Sequence, residues 1–288
     1  MEGPPSDIII CTSDSLFFYA HREVLLGRST NNFAGLIIPQ DYDEGPVPDY
    51  TSSRHASSGL HPSSPQEFAT APLQNIHVSE PSVVFNVILH FIYNMSCERY
   101  APNLDTLTAV FASLPKYGLP RVNTYDRSDI PTALMRYVTA SPIRVYALAA
   151  ENALDSVCIL ASQYTLDATL DQVSEADALT MGPVYLLRLC FLHMDRLDTL
   201  RRLVDTPPAT HPLTPSCSME FQRSVKEAWM TGVGQILMRA TAHNTAATAL
   251  EAAFEPCRVV SPCWECRQLV GARIADVVDQ WGPVRRTI

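Results

Sequence analysis

From about residue 130 to its last position, nothing in this 288-residue chain reads as a β-strand, whereas strand-like segments occur before residue 80. Asp7-Ile-Ile-Ile-Cys11 and Leu16-Phe-Phe-Tyr19 are rich in β-branched and aromatic residues. Between them Thr12-Ser-Asp-Ser15 supplies short polar side chains that suit a turn, so the pair predicts a hairpin. Asn75-Ile-His-Val78 predicts a further short strand. The expected fold class is therefore α+β at the N-terminus, a small sheet covered by helices, followed by an all-helical C-terminal region.

Residues 39–72 separate these strand segments and carry six prolines, six serines and two glycines with almost no apolar period. Such a stretch buries too little surface to offset its ordering entropy, and it is expected to be a disordered insertion. Ser79 then predicts a helix cap, with Val83, Val84, Val87, Ile88, Phe91, Ile92 and Met95 forming an apolar stripe. Asn103 opens another helix with Leu104, Leu107, Val110, Phe111 and Leu114 inward, ending near Pro115 and Gly118.

Beyond residue 130 the helix signals follow one another. Ser141-Pro142 reads as a cap and first helical position, and Ser174-Glu-Ala-Asp177 resembles a capping box. Gly182-Pro183 starts a leucine-rich segment to about Val204, which Pro207-Pro208 ends before a Pro-rich stretch reaching Pro215. Three helices are expected after it, at about 219–240, 245–254 and 262–281. The expected domains are thus 1–125 and 126–288.

Charge and composition exclude several functions. A net charge of −9 without a basic block disfavours direct nucleic-acid binding, which needs cations gathered on one face. No long uncharged apolar segment and no basic leader are seen, so membrane anchoring and secretion are not expected, and the localisation expected is intracellular, cytoplasmic or nuclear. The eight cysteines are then expected to be thiols. No Gly-x-Ser-x-Gly elbow, phosphate-binding Gly-rich loop or His-Glu-x-x-His appears, so no catalytic residue, no enzymatic activity and no cofactor are assigned.

Asp7, Phe18, His21, Arg22, Val24, Leu25, Ser29 and Phe33 reproduce a pattern of acid, apolar strand, Phe-x-x-His-(Lys/Arg)-x-apolar-Leu, then Ser and Phe. With Leu89-His-Phe-Ile-Tyr93 and Lys116-Tyr-Gly-Leu119, this set resembles the BTB (POZ) domain. The region after residue 130, with Val145-Tyr-Ala-Leu-Ala149, is similar to the helical extensions of fungal BTB proteins. Two departures stand out: Phe33 lies four residues after Ser29 where the family usually has three, which displaces the second half of that helix, and Asn94-Met95 replaces the family's Thr-Gly. The resemblance implies a protein-interaction adaptor that forms a homodimer and recruits a protein partner, a cullin-type ubiquitin-ligase scaffold or a regulatory complex being such a partner; the two departures leave a degenerate, monomeric BTB scaffold as the alternative. It also implies that Asp7 and Arg22 sit near the dimer interface, where an interface role and a plain local ion pair are both open.

Cys263-Trp-Glu-Cys266 is the other chemical signal. Ser261-Pro262 is expected to put both sulfurs in the first turn of the last helix, on one face. Three readings are open, and close packing by small buried thiols ranks first. Zinc needs four nitrogen or sulfur ligands, with Cys257 as a third and Cys217, His211 or His243 as a distant fourth. A thiol redox pair is the last. His21 is expected to be a hydrogen-bonded core residue, and Trp264 with Trp281 to pack the final helix.

Overall fold

The computed structural model describes residues 5–38, 73–122, 129–239 and 247–288. It is a mixed α+β protein that divides into two compact units, one drawn mainly from Met1–Arg121 and the other mainly from Pro131–Ile288. The expected insertion 39–72 lies outside the described residues.

In the first unit β1 (Ile8–Cys11) pairs antiparallel with β2 (Phe17–Ala20) and parallel with β3 (Gln74–His77), giving the order β2-β1-β3. The alternation of a strand puts Ile8, Ile10, Ala20 and Ile76 on one buried face. Among the described residues of this unit the α-helices are α1 (Arg22–Arg28), α2 (Ser82–Ile92) and α3 (Leu104–Lys116). In α3 the expectation and the structure coincide. Asn103 Oδ1 accepts the Thr106 amide at 2.8 Å, and Leu104, Leu107, Val110, Phe111 and Leu114 are all buried.

Two expectations for α2 are corrected. The helix begins at Ser82 rather than after Ser79, because Pro81 takes the cap position and the Ser82 amide is satisfied by Asp14 from the hairpin turn. Ser79 instead accepts a hydrogen bond from Lys116 Nζ at 2.6 Å. Val83 and Met95 are exposed, at 61% and 47%, so the buried stripe is narrower than the apolar run.

Phe33 reaches the core by an unusual route. After α1 ends at Arg28, Asn32, Phe33, Ala34 and Gly35 all adopt positive φ between 53° and 72°, a left-handed turn. Phe33 is fully buried, stacked on Tyr117 with centroids 4.4 Å apart. Ser29 Oγ accepts the Phe33 amide at 2.7 Å and donates to the Tyr117 carbonyl at 2.7 Å, tying this turn to the end of α3.

The second unit is helical: α4 (Ile130–Met135), α5 (Pro142–Glu151), α6 (Asp155–Thr165), α7 (Glu175–Asp205), α8 (Met219–Arg239), α9 (Ala247–Val260) and α10 (Trp264–Trp281). Pro142 occupies the first turn of α5, and Ser174 Oγ accepts the Asp177 amide at 3.0 Å, as the cap signals predict. Gly182, at φ 70° and ψ 168°, breaks α7 where Gly182-Pro183 is expected to start a new segment. Leu189, His193 and Leu200 of that segment are buried. Val204, Trp229, Phe254, Val270 and Val277 centre a core shared by α7 to α10. Trp281 is buried in it, but Trp264 is 60% exposed, so only one of the two tryptophans packs the last helix. Among the described residues no helix is long and apolar enough to cross a membrane.

Candidate functional site

Because β1, β2 and β3 bury one face of the sheet, the residues between the buried ones share the other. Register places Ile9 opposite Tyr19 and Asn75, and Cys11 opposite Phe17 and His77. These six side chains line one shallow concavity. Phe17 and Tyr19 are 62% and 66% exposed, although they are the largest side chains of the face, and none of the six is an acid, lysine or arginine. An uncharged, aromatic, solvent-facing surface is the kind that marks an interaction site.

Asp7 and Arg22 lie at the foot of this sheet, where strand β2 turns into α1. Asp7 Oδ1 accepts the Arg22 amide at 2.7 Å and so caps α1 from the residue just before β1. The ion pair itself is long, Arg22 Nε to Asp7 Oδ2 at 3.7 Å, and the guanidinium donates through NH1 to the Ile38 carbonyl at 2.6 Å. Arg22 Nε is buried and makes no hydrogen bond. Within the chain the pair closes the start of α1. His21 is half-buried rather than in the core. It is nevertheless hydrogen-bonded as expected, since its amide donates to Tyr93 Oη at 2.9 Å and its Nδ1 lies 2.9 Å from the same oxygen.

In the helical unit the structure brings His211, Cys217, Cys263 and Cys266 together, with one donor atom of each within 4.8 Å of all the others. Such a group could hold a metal ion. Cys263 is the N-cap of α10 and Cys266 its third residue, so only the second sulfur lies within the helix proper. Backbone amides at this helix start, that of Cys266 foremost, pull the Cys263 thiol down to about 7, whereas burial pushes Cys266 up to about 11. Cys257, offered by the sequence as a third ligand, is buried in α9 outside this group, and its thiol is pushed up to about 11 by burial. His243 lies outside the described residues.

The sequence named His211 and Cys217 only as distant alternatives. The signal available was their spacing, His-x5-Cys in the Pro-rich stretch before α8, which a reading of that stretch as a helix terminator passes over. A second feature passed over is on α7. Val184, Leu187, Phe191 and Met194 are each more than half exposed, at helical spacing, on the side away from the buried Leu189 and His193.

Comparison of the chain with protein-family models, with curated proteins and with solved structures finds no match in any of the three.

Proposed function

We propose that this chain is a protein-interaction adaptor that self-associates through its N-terminal sheet unit and carries the helical unit as a second binding region. The observation that carries this reading is the open face of Ile9, Cys11, Phe17, Tyr19, Asn75 and His77. A second copy of the chain is its occupant on electrostatic grounds. The protein carries a net charge of −9, so most approaches of two copies bring like charges together, whereas this face has no charged residue and meets itself without repulsion. Burying four apolar side chains per copy supplies the favourable term, at roughly 25 cal/mol per Å² of apolar area. The resemblance of the first unit to BTB domains supports the same reading, as does its order of hairpin, helix, returning strand and two helices. Self-association then doubles the number of helical units presented to a partner and raises avidity for a repeated or dimeric one.

The test is the molar mass of the full chain by size-exclusion chromatography with light scattering, in reducing buffer over a wide concentration range. The expected mass is near twice 31.9 kDa. The double variant Phe17→Asp, Tyr19→Asp, which puts like charges on the face, is expected to elute at the single-chain mass with unchanged circular dichroism. A wild-type protein that stays at the single-chain mass at every concentration would overturn the reading.

A further inference from the structure

We propose that His211, Cys217, Cys263 and Cys266 bind one zinc ion in a closed, structural site that fastens the Pro-rich segment before α8 to the start of α10. The four donors come from two stretches of chain, the Pro-rich segment before α8 and the start of α10. Thr214 and Cys217 close a tight turn on each other, amide to carbonyl in both directions at 3.2 and 3.0 Å, which presents the Cys217 sulfur from its end. His211 precedes this turn. Cys263 and Cys266 come from the first turn of α10, whose cap and third position bring the two sulfurs to one side.

All four donors lie within 4.8 Å of one another, and three of the six separations are near the edges of a zinc tetrahedron. His211 Nε2 lies 3.2 Å from Cys266 Sγ and 3.4 Å from Cys263 Sγ, and Cys217 Sγ lies 3.5 Å from Cys266 Sγ. Zinc at about 2.3 Å from sulfur and about 2.0 Å from nitrogen requires edges of roughly 3.5 to 3.8 Å, so small movements of the side chains admit the ion. Packing of small hydrophobes does not account for the histidine. An imidazole whose side chain is 8% exposed turns one ring nitrogen toward two sulfurs, an arrangement that apolar burial alone would disfavour.

The outer partners also fit. His211 Nδ1 lies 2.7 Å from the Pro212 carbonyl and 3.0 Å from Glu265 Oε2, two acceptors that hold the ring proton on Nδ1 and leave the Nε2 lone pair facing the sulfurs. Gln222 Nε2 donates to the His211 carbonyl at 2.9 Å and fixes the backbone behind the ring. Three thiolates and a neutral imidazole select a soft, tetrahedral ion, and on binding each thiol releases its proton to solvent. With four protein ligands no position remains for a substrate, so the ion is structural rather than catalytic. The metal would bridge residues 217 and 263 and so shorten the effective loop through α8 and α9.

The test uses the full chain, expressed with zinc, purified under reducing conditions without chelator, and assayed by elemental analysis. One zinc per chain is expected, retained in Cys257→Ser and reduced to below about a tenth in Cys263→Ser, Cys266→Ser. Since that variant could lose its fold, cobalt(II) is also titrated into reduced, zinc-free wild-type protein, where thiolate charge-transfer bands and tetrahedral d–d bands are expected. Zinc bound but undiminished in the double variant would overturn the assignment. Absence of zinc together with absence of the cobalt bands would overturn it as well.

Discussion

Asp14, in the turn of the β1-β2 hairpin, caps a helix that begins 68 residues later: its Oδ1 accepts the Ser82 amide at 2.9 Å and its Oδ2 accepts the Ser82 hydroxyl at 2.6 Å. Thr12 Oγ1 donates to the same carboxylate at 2.6 Å, so the turn and the start of α2 share one anion. These hydrogen bonds, the Ser82 hydroxyl first, hold the carboxyl down to about 2 from its ordinary 3.8. The group is depressed in the folded state, so its contribution is complete above about pH 4 and disappears as the pH falls toward 2. Asp14→Ala is therefore expected to lower the melting temperature at pH 7, with the difference from wild type closing below pH 3. A difference that stays constant down to pH 2 would show that the carboxylate does not carry the effect.

The turn after α3 makes a sharper demand. Gly118 has φ 64°, and a Cβ there would stand 2.5 Å from Asn31 Oδ1 and 2.8 Å from the Asn31 backbone nitrogen. Asn31 cannot easily give way, because its Nδ2 donates to the Lys116 carbonyl at 3.0 Å while its Oδ1 accepts the Ala34 amide at 2.8 Å. Gly118→Ala combines the left-handed penalty with overpacking and is expected to cost at least about 2 kcal/mol in urea unfolding. Gly27→Ala, at the exposed penultimate position of α1 with nothing within 4 Å, is the control and is expected to be neutral or to stabilise by up to about 1 kcal/mol.

The contrast between α3 and α2 explains what a reader of the sequence could and could not see. Every determinant of α3, its cap at Asn103 and its five inward apolar residues, lies within the helix or next to it, so local pattern is enough. The start of α2 is decided by Asp14, distant in sequence, and the left-handed turn around Phe33 is decided by packing against Tyr117 and Phe85. No periodicity encodes either. The same division runs through the metal-ligand cluster. Cys263 and Cys266 are legible because a Cys-x-x-Cys pair at a helix start is local, whereas His211 and Cys217 join them only through the fold of the helices between residues 217 and 263.

His193 gives a second, higher pH window. It is 4% exposed, its Nε2 lies 3.3 Å from Thr165 Oγ1, and Thr165 spends its own proton on the Ser162 carbonyl, so the imidazole acts as the donor. Burial first, and then the Arg196 cation, lower its pKa from the ordinary 6.5. Below pH 6.5 the unfolded chain takes up a proton at this histidine more readily than the folded one, so stability is full above that pH and falls as the solution is acidified. His193→Leu is expected to lower stability at pH 8, where it leaves Thr165 without its neighbour, but to flatten the loss between pH 7 and 5. Parallel pH profiles of melting temperature for the two proteins would refute this.

Two glycines of α8, two residues apart, should respond in opposite directions to the same substitution. Gly232 faces α9, and a Cβ there would lie 2.9 Å from the Ala253 carbonyl oxygen and 2.9 Å from the Phe254 ring. That ring is already committed, stacked on Trp229 with centroids 3.8 Å apart, while the Trp229 indole donates to the Val204 carbonyl at 2.8 Å. Neither the backbone oxygen nor the stacked ring can move without disturbing this buried arrangement, so Gly232→Ala is expected to destabilise by about 1 to 3 kcal/mol and to alter tryptophan fluorescence. Gly234 meets nothing within 4 Å and lies on the exposed side of the same helix. There alanine removes only the entropic cost of glycine in a helix, and a gain of up to about 1 kcal/mol is expected. Equal effects of the two substitutions in thermal unfolding would mean that α8 and α9 do not approach each other as closely as the Gly232 contact requires.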